Sequence, residues 1–157
     1  ILFPTAKPDE SFIIPGDRGR LGDVFSNLIS NSIFYNQPRG EVRVEAGIVD
    51  QNFLEVFAFK KQGSIGLHDY FRRIAEKGNK NFLLVSVVDT GLGIPEEEQP
   101  KIFESFYRAA NVIKKGIAGT GLGLFIVKAI IERSRGKILF ESKENSGTTF
   151  YIIFPTS

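Results

Sequence analysis

An apolar run at residues 82–88, rich in Val and Leu, constrains the fold more than any other feature of the sequence. It lacks the alternation of polar and apolar residues shown by a strand with one solvated face, so it predicts a strand buried on both faces. Such a strand needs packed layers of sheet and helix around it. We therefore predict an α/β (α+β) two-layer sandwich, with a mixed sheet of about five or six strands and about three helices mainly on one face.

Two helices are predicted from apolar residues that recur at the helical period. The first covers residues 18–36, and the second covers residues 120–135 with Gly136 as the residue that ends it. The predicted core stripes are Leu21, Val24, Phe25, Leu28 and Ser32 in the first helix, and Leu122, Phe125, Ile126, Ala129 and Ile130 in the second.

Further strands are predicted at residues 11–15, 41–49 and 53–59, and a closing hairpin joins residues 137–142 to residues 148–154. In the strand at 41–49, the side chains of Val42, Val44, Ala46 and Ile48 share one face. Residues 107–119 show no clear period and are predicted to form a long mobile loop. Residues 60–81 are polar and contain glycine, with a short helix predicted near residues 68–77.

Composition narrows the classes of function. The 157 residues suit one domain, 1–157, with an atypical insertion around residues 60–81. The absence of Cys excludes disulfides and thiolate metal sites. A net charge of +2 favours no nucleic-acid partner, and no apolar run approaches the roughly 20 residues of a membrane helix. The first residues lack a signal-peptide pattern, so we expect a cytoplasmic domain without direct membrane contact.

A polar stripe accompanies the apolar one on the first predicted helix. Asn27, Asn31 and Tyr35 recur every four residues and so share a face. Asn is a poor helix former, and two in a helix interior indicate a specific role. Amide oxygens suit Mg²⁺, which keeps waters and shares the phosphates of a nucleotide. Taken alone, the stripe is more often a pair of solvated amides on an exposed edge.

Asp89 follows the apolar strand directly, which is a usual place for a ligand-binding group in α/β proteins. A buried carboxylate can accept a hydrogen bond from an adenine amino group, and Gly91 and Gly93 would let the backbone approach the base. The spacing is not a Rossmann fingerprint, because a third glycine is missing and Pro95 intervenes. The alternative is an ordinary Asp-Thr-Gly turn before a helix.

A glycine-rich segment, residues 119–124, precedes the second predicted helix. Exposed backbone N–H groups at a helix N-terminus form an anion site, for which a triphosphate is the natural candidate. The segment is not a Walker loop, because it lacks the Gly-Lys-Ser/Thr ending. Alone, it is equally explained as a flexible hinge.

Together, these segments resemble in order and spacing the ATP-binding catalytic domain of sensor histidine kinases, in the class that includes gyrase, Hsp90 and MutL. Residues 27–35 (NLISNSIFY) resemble the N box, and residues 89–94 (DTGLGI) resemble the G1 box. The F box is matched by residues 103–108 (FESFYR), and the G2 box by residues 119–124 (GTGLGL). Residues 16–17 and 146–150 also fit. The resemblance covers nearly the whole chain except residues 60–81 and implies a Bergerat-type ATP-binding fold.

The resemblance also implies roles for the residues around the base and the metal. Asn31 would ligate Mg²⁺, Asn27 would order the metal or its water, and Tyr35 would pack on adenine. Asp89 would bind the adenine amino group. The pocket around the base would be shaped by Gly91, Gly93 and Ile94.

For the phosphates, the resemblance places Arg108 at the terminal group. The lid and the phosphate contacts would come from Gly119, Thr120, Gly121, Leu122, Gly123 and Leu124. Phe103 and Phe106 would anchor the lid by their position in the F box. The alternative for both is a place in the core, since 15 Phe residues occur in the chain.

Two features depart from the family pattern. Phe34 stands where the family commonly has a lysine, and a phenyl ring cannot meet a phosphate. An alternative role for Phe34 is packing in the core beside Ile33. Residues 60–81 contain the only histidine, His68, which we interpret as a surface residue rather than a phosphate acceptor.

The resemblance therefore implies a protein-histidine kinase domain that uses ATP and Mg²⁺. It would transfer the γ-phosphoryl group to a histidine on dimerisation helices outside this chain, and a response-regulator receiver domain would take it next. The parent protein can be a membrane sensor. Alternatives are a nucleotide-binding but inactive regulatory module, which Phe34 favours, and an anti-sigma-type serine kinase, which the F and G2 boxes disfavour. A gyrase-type or Hsp90-type ATPase would have a glutamate in place of Asn27.

Overall fold

An antiparallel sheet forms the centre of the computed structural model, which describes residues 13–60 and 81–156. Its strands are β1 (Val42–Asp50), β2 (Asn81–Asp89), β3 (Lys137–Lys143) and β4 (Gly147–Pro155), in the order β1-β2-β4-β3. The two central strands, β2 and β4, carry the apolar sequences, so the prediction of a buried strand at residues 82–88 is confirmed.

The predicted sheet was too large. Within residues 13–60 and 81–156 the sheet has four strands, all antiparallel, rather than a mixed set of five or six. One missing strand was expected at residues 11–15, of which 13–15 form no strand and the others lie outside the described residues. The other was expected at residues 53–59, which are helical.

Helix α1 (Arg18–Phe34) begins as the sequence predicted. The side chain of its N-cap residue, Asp17, accepts a hydrogen bond of 2.9 Å from the Arg20 N–H. Val24, Leu28 and Ser32 form its buried face, which confirms the predicted stripe.

Helix α2 (Gln51–Lys60) replaces the strand predicted at residues 53–59. The Asp50 carboxylate accepts a hydrogen bond of 2.8 Å from the Phe53 N–H, which satisfies a free donor of the first turn. Leu54 and Phe57, three residues apart, are buried. An apolar run this short fits either the helical or the strand period. The cap and the packing on the sheet stabilise the helix.

Helix α2 also corrects the prediction that the helices cover mainly one face of the sheet. Successive strand residues point to opposite faces, and β4 places Ile152 in one core and Ile153 in the other. The first core lies under α1 and the last helix. The second lies under α2, where Phe57 packs edge-on against Tyr151 with ring centroids 5.0 Å apart.

Strand β1 lies at the edge of the sheet. Its pairing places Val44 opposite Val87 and Ala46 opposite Val85, so the predicted shared face is correct. Val44, on this edge strand, is 48% exposed.

The chain from β2 to the last helix contains two short helical segments. Residues Glu96–Lys101 form a 3₁₀ helix that contains Pro100. Within the loop predicted at residues 107–119, helix α3 (Ala110–Lys114) forms and buries Val112. That loop is therefore partly structured.

Helix α4 (Gly123–Arg133) buries Ile130 of the predicted stripe, but the rest of its buried face differs from the prediction. Val127, Ile130 and Ile131 are buried, whereas Phe125 and Ile126 are 45% and 43% exposed. The helix is apolar on nearly every side, so periodicity alone does not select the face that packs on the sheet.

The chain leaves α4 through Arg135, which has the left-handed φ of 57° that was expected one residue later at Gly136. The Gly136 N–H then donates to the Ile131 carbonyl at 2.8 Å, as in a Schellman motif. The hairpin of β3 and β4 forms as predicted. No helix in the two described ranges has the length and apolar character needed to cross a membrane.

Candidate functional site

One cavity of about 390 Å³ opens between α1, the segment after β2, residues 107–121, the start of α4 and strand β4. This size is typical of small-molecule sites. Most of the predicted site residues line it: Asn27, Asn31, Tyr35, Asp89, Gly93, Ile94, Arg108, Gly119, Thr120, Gly121, Gly123 and Leu124. Gly91 and Leu122 do not.

Asp89 lies where β2 ends, and backbone donors hold one oxygen of its carboxylate. Oδ1 accepts hydrogen bonds from the Gly91 N–H at 2.9 Å and from the Thr148 N–H at 3.1 Å. Burial raises the pKa of Asp89, and these two N–H groups and the Ser32 hydroxyl oppose that increase. Neither backbone donor reaches Oδ2, so this oxygen remains available to a ligand that enters the cavity.

Ser32 lies at the cavity wall near Asp89. Its hydroxyl is buried and has no hydrogen-bond partner of ordinary geometry in the described part of the chain, although it is near enough to lower the pKa of Asp89. A buried polar group without a partner is uncommon and indicates a missing ligand or water.

Gly91, the first glycine after Asp89, brings this segment close to the end of α1. A Cβ on Gly91 would lie 2.4 Å from the Tyr35 carbonyl oxygen, and the Leu92 N–H donates to the same oxygen at 2.9 Å. Gly91 is therefore needed for close packing behind the cavity wall. Gly93 and Ile94 line the cavity itself.

A hydrogen-bond network ties this segment to the β3–β4 hairpin. The Ile94 N–H donates to the Ser142 hydroxyl at 2.8 Å, and that hydroxyl is 2.8 Å from the hydroxyl of Thr148. Gln99 donates to the Ser142 carbonyl at 3.0 Å. These bonds fix the backbone that carries Asp89, Ile94 and Thr148.

The polar stripe of α1 faces the glycine-rich segment, as its helical spacing predicted. A Cβ on Gly123 would lie 2.8 Å from Asn27 Oδ1 and 4.0 Å from Asn31 Nδ2. Similarly, a Cβ on Gly119 would lie 3.6 Å from the Tyr35 hydroxyl. The N-box and G2-box segments, far apart in sequence, therefore meet at one end of the cavity.

Any metal bound at this end would take its protein ligands from side-chain amides. Within residues 13–60 and 81–156 there is no group of three or more His, Cys, Asp or Glu side chains that could hold a metal. The side-chain oxygens of Asn27 and Asn31 are hard ligands of the kind that Mg²⁺ accepts, with phosphates and waters completing its shell. The residues present fit a metal that arrives with a nucleotide.

Arg108 lines the cavity and belongs to residues 107–119, the segment that we call the lid. One guanidinium nitrogen, Nη2, donates to the Ile117 carbonyl of the lid. The Nε atom is buried and has no acceptor among the described residues. A buried guanidinium donor facing a cavity fits an anionic ligand.

Phe34 lines the cavity and is 70% exposed. The alternative that it packs in the core beside Ile33 is therefore wrong, and Ile33 is itself 61% exposed.

The two F-box phenylalanines, Phe103 and Phe106, differ in burial. Phe103 packs against the first core, edge-on to Phe140 with ring centroids 5.8 Å apart, as the structural alternative predicted. Phe106 is 73% exposed and has a φ of 64°, an unusual conformation for a bulky residue. Strain of this kind is found at functional sites.

Several lining residues were not predicted as site residues: Ser32, Ile102, Tyr107, Ala109, Val112, Ala118, Thr148 and Phe150. Thr148 could have been singled out from the sequence, because it begins the second strand of the predicted closing hairpin. Ser32 contributes its hydroxyl, although the sequence predicted it only as part of the core stripe of α1. The remaining residues are mostly apolar and carry no distinctive pattern. His68 lies outside the described residues.

Comparisons with known proteins identify the family of the chain. Residues 16–157 match the family described as histidine kinase-, DNA gyrase B- and HSP90-like ATPase. Sensor protein kinase WalK of Staphylococcus haemolyticus is 33% identical over 153 residues, which cover 98% of this chain and 21% of WalK. Histidine kinase 3 of Arabidopsis thaliana is 32% identical over 155 residues, which cover 86% of this chain and 15% of that protein.

Solved structures show the same fold. The nucleotide-free catalytic domain of histidine kinase ThkA is 27% identical, with a TM-score of 0.60 over 98% of this chain and 75% of that chain. Full-length ShkA in complex with AMPPNP is 22% identical and is similar in fold, with a TM-score of 0.61 over 94% of this chain and 24% of that chain.

The chain belongs to the histidine kinase-, DNA gyrase B- and HSP90-like ATPase family. Within that family it is similar to sensor protein kinase WalK and to the catalytic domain of histidine kinase ThkA. It spans 21% and 15% of the two curated relatives described above.

Proposed function

We propose that this domain binds ATP with Mg²⁺ in the cytoplasm and transfers the γ-phosphoryl group to a histidine on dimerisation helices outside this chain. A response-regulator receiver domain then receives the phosphoryl group. One observation carries the proposal: the same cavity is lined by the Asp89 carboxylate, whose Oδ2 accepts neither backbone bond, and by Arg108, whose buried Nε has no acceptor in the described ranges.

The carboxylate end suits adenine. Oδ2 of Asp89 accepts a hydrogen bond from the adenine amino group, while Oδ1 keeps its bonds to Gly91 and Thr148. Guanine has a carbonyl oxygen at the corresponding position, so two acceptors would face each other and one would be left unpaired. The domain should therefore prefer ATP to GTP.

The opposite end suits the phosphates. Arg108 donates to the terminal phosphate, and the backbone N–H groups before α4 bind the remaining oxygens. Asn31 holds Mg²⁺ and Asn27 orders the metal or its water. The metal, when bound, neutralises charge on the phosphate oxygens. The similar fold of ShkA, solved with AMPPNP, supports nucleotide binding here.

In the transfer, an imidazole nitrogen of the acceptor histidine forms a bond to the γ-phosphorus as the bond to the β,γ-bridging oxygen breaks. ADP leaves with that electron pair, and the imidazole loses its proton to solvent. The chain contributes positioning and the charge of Arg108, which is what phosphoryl transfer requires of a protein.

The acceptor helices have an apolar surface available beside the phosphate end. Phe125 and Ile126 are exposed in the first turns of α4, and Phe106 is exposed in the F box. Exposed apolar residues of this size mark contact sites for partners.

The test is phosphorylation of the isolated chain with γ-labelled ATP. We expect bound nucleotide but no acid-labile phosphate on this chain, and labelling of a cognate dimerisation domain that is added in trans. Labelling of the chain that disappears in His68→Ala would contradict the proposal, as would an absence of ATP binding.

A second candidate is a nucleotide-binding module that does not transfer phosphate. It is favoured by Phe34, which lines the cavity where the family commonly has a lysine. This module would bind ATP with the same preference over GTP but would leave the added dimerisation domain unlabelled.

A further inference from the structure

We propose that Glu98 and Asn111 are positioning residues for nucleotide binding, which hold helix α3 of the lid in place over the base end of the cavity before nucleotide arrives. The inference rests on the proposed function. It assigns to two residues outside the four boxes the task of preparing the pocket.

Helix α3 does not supply its own N-terminal cap. Its five residues are too few for an isolated helix, and the N-cap residue Ala109 has no side chain that can accept a hydrogen bond. Glu98 of the 3₁₀ helix performs this task from a distance. Its carboxylate accepts from the Ala110 N–H with both oxygens, at 3.1 Å for Oε1 and 2.9 Å for Oε2. A carboxylate at this end also interacts favourably with the helix dipole.

The next residue of α3 makes a second connection. The Asn111 side chain donates from Nδ2 to the Gly93 carbonyl at 3.0 Å, so the lid is bonded directly to the G1 segment. The Gly93 carbonyl is a firm anchor, because the G1 segment is itself bonded to Ser142 through the Ile94 N–H. Asn111 Oδ1 is buried without a partner in the described ranges, and this cost indicates that Asn111 is there for its donor.

Val112 completes the attachment. It is 8% exposed and lines the cavity, so fixing α3 also fixes an apolar wall of the pocket. Three consecutive residues of α3 are therefore attached. Ala110 is bonded to the Glu98 carboxylate, Asn111 is bonded to the Gly93 carbonyl, and the Val112 side chain is buried.

The rest of the lid is attached differently. After α3 the chain passes through Gly116, at a φ of 67° with open space around it, and residues 118–120 are exposed. Among the described residues, two hydrogen bonds reach this part: Arg108 donates to the Ile117 carbonyl, and the Ile117 N–H donates to the Val112 carbonyl at a long 3.4 Å. The lid thus has a fixed first half beside the base and a loosely attached second half beside the phosphates, with Gly116 between them.

This division has a measurable consequence. A preformed wall spares the ligand the cost of ordering α3, and that saving is the same for every ligand with an adenine base. Loss of Glu98 or Asn111 should therefore weaken ADP and a non-hydrolysable ATP analogue by the same factor. A phosphate contact would instead affect the ATP analogue more.

The experiment compares Glu98→Gln and Asn111→Asp with the native chain. Gln keeps one acceptor oxygen without the charge, and Asp replaces the donor with an oxygen that repels the Gly93 carbonyl. Glu96→Ala, an exposed change in the same 3₁₀ helix, is the matched control. Calorimetry should show that both variants bind ADP and the ATP analogue about threefold to tenfold more weakly than the native chain does, which is the range of one net hydrogen bond. The control should match the native chain.

Hydrogen exchange of the free proteins provides the second readout. In both variants, exchange at residues 110–114 should be faster than in the native chain, while exchange in β2 stays unchanged. Faster exchange with unchanged affinities would overturn the positioning role, and unchanged exchange would overturn the attachment itself. If the native chain binds neither ligand, the proposed function fails, and exchange of the free protein still reports whether the attachment exists.

Discussion

The two ends of the cavity are built from different kinds of backbone. The end assigned to adenine consists of Asp89 and Thr148 of the central strands, which are bonded to each other, and of Ile94, which is bonded to Ser142 of β3. The phosphate end consists of Arg108 and residues 117–123, where Gly119 and Thr120 are exposed. Under the proposed function, the base would be recognised by a rigid frame, whereas the phosphates would be enclosed by a segment that can adapt.

A pair of glycine substitutions should show this contrast most strongly. Gly93 and Gly116 both have left-handed φ angles, of 59° and 67°. A Cβ on Gly93 would lie 1.9 Å from the Lys143 carbonyl oxygen, whereas a Cβ on Gly116 meets nothing within 4 Å. Gly116→Ala should cost about 1 to 2 kcal/mol of unfolding free energy from backbone strain alone. Gly93→Ala should cost more than about 3 kcal/mol, because the β3–β4 turn must move. Urea unfolding measures both, and equal losses would show that the frame is not rigid.

Substitutions at the two ends should separate ligands by their phosphates. Asp89→Asn should weaken adenosine and a non-hydrolysable ATP analogue by a similar amount, about 1 to 3 kcal/mol, because the acceptor for the amino group is altered. Arg108→Ala should weaken only the ATP analogue, by about 1.5 to 3 kcal/mol, the range of a hydrogen bond to a charged group.

Calorimetry with both ligands tests this separation. Arg133→Ala, at the exposed far end of α4, controls for the loss of a positive charge. A similar loss of adenosine and ATP-analogue affinity in Arg108→Ala would mean that Arg108 organises the whole cavity rather than its phosphate end.

The adenine end should also respond to pH. Because burial raises the pKa of Asp89 in the folded state, the folded protein holds this proton more tightly than the unfolded chain does. The contribution of Asp89 to stability is therefore greatest below its unfolded pKa and is lost as pH rises through the raised folded pKa. The affinity for adenine has the opposite pH dependence. Binding needs the ionised carboxylate, so the affinity should weaken as pH falls through the folded pKa of Asp89.

Adenosine affinity measured from about pH 4 to pH 7 tests the effect. Asp89→Asn should flatten this profile and should increase the melting temperature of the free protein at neutral pH, because the buried charge is removed while the Gly91 and Thr148 N–H groups keep an acceptor. A native profile without any slope would show that Asp89 does not contact the base.

The site was more predictable from the sequence than the packing around it. Asn27, Asn31 and Asp89 were identifiable because a ligand demands particular atoms at particular spacings. Thr148 was missed, although its strand was predicted, because its backbone N–H rather than its side chain is used.

The packing was harder to predict from the sequence, because several apolar residues of one element can fill the same place in a core. Helix α4 offers Phe125 and Ile126 as well as Val127 and Ile131, so only the sheet decides which pair is buried. Helix α2 was predicted as a strand because its apolar run is short enough to fit either period, and the cap formed by Asp50 lies outside that run. The anchored first half of the lid depends on Glu98, 12 residues before Ala110, and pairings of that kind have no local pattern.

The smallest expected effect concerns Phe34, at the cavity wall, where the family commonly has a lysine. Phe34 is 70% exposed, so Phe34→Lys should leave the melting temperature unchanged. The new ammonium should strengthen binding of ATP relative to adenosine by about 1 kcal/mol or less, as for an exposed ion pair. The gain should shrink at high salt because exposed charges are screened. Ile33→Lys is the matched control, since Ile33 is 61% exposed but does not line the cavity. A gain of the same size in the control would show only a general effect of net charge. A lower melting temperature without any gain in Phe34→Lys would mean that the ring stabilises the cavity wall and that the adaptable phosphate end already binds ATP without this lysine.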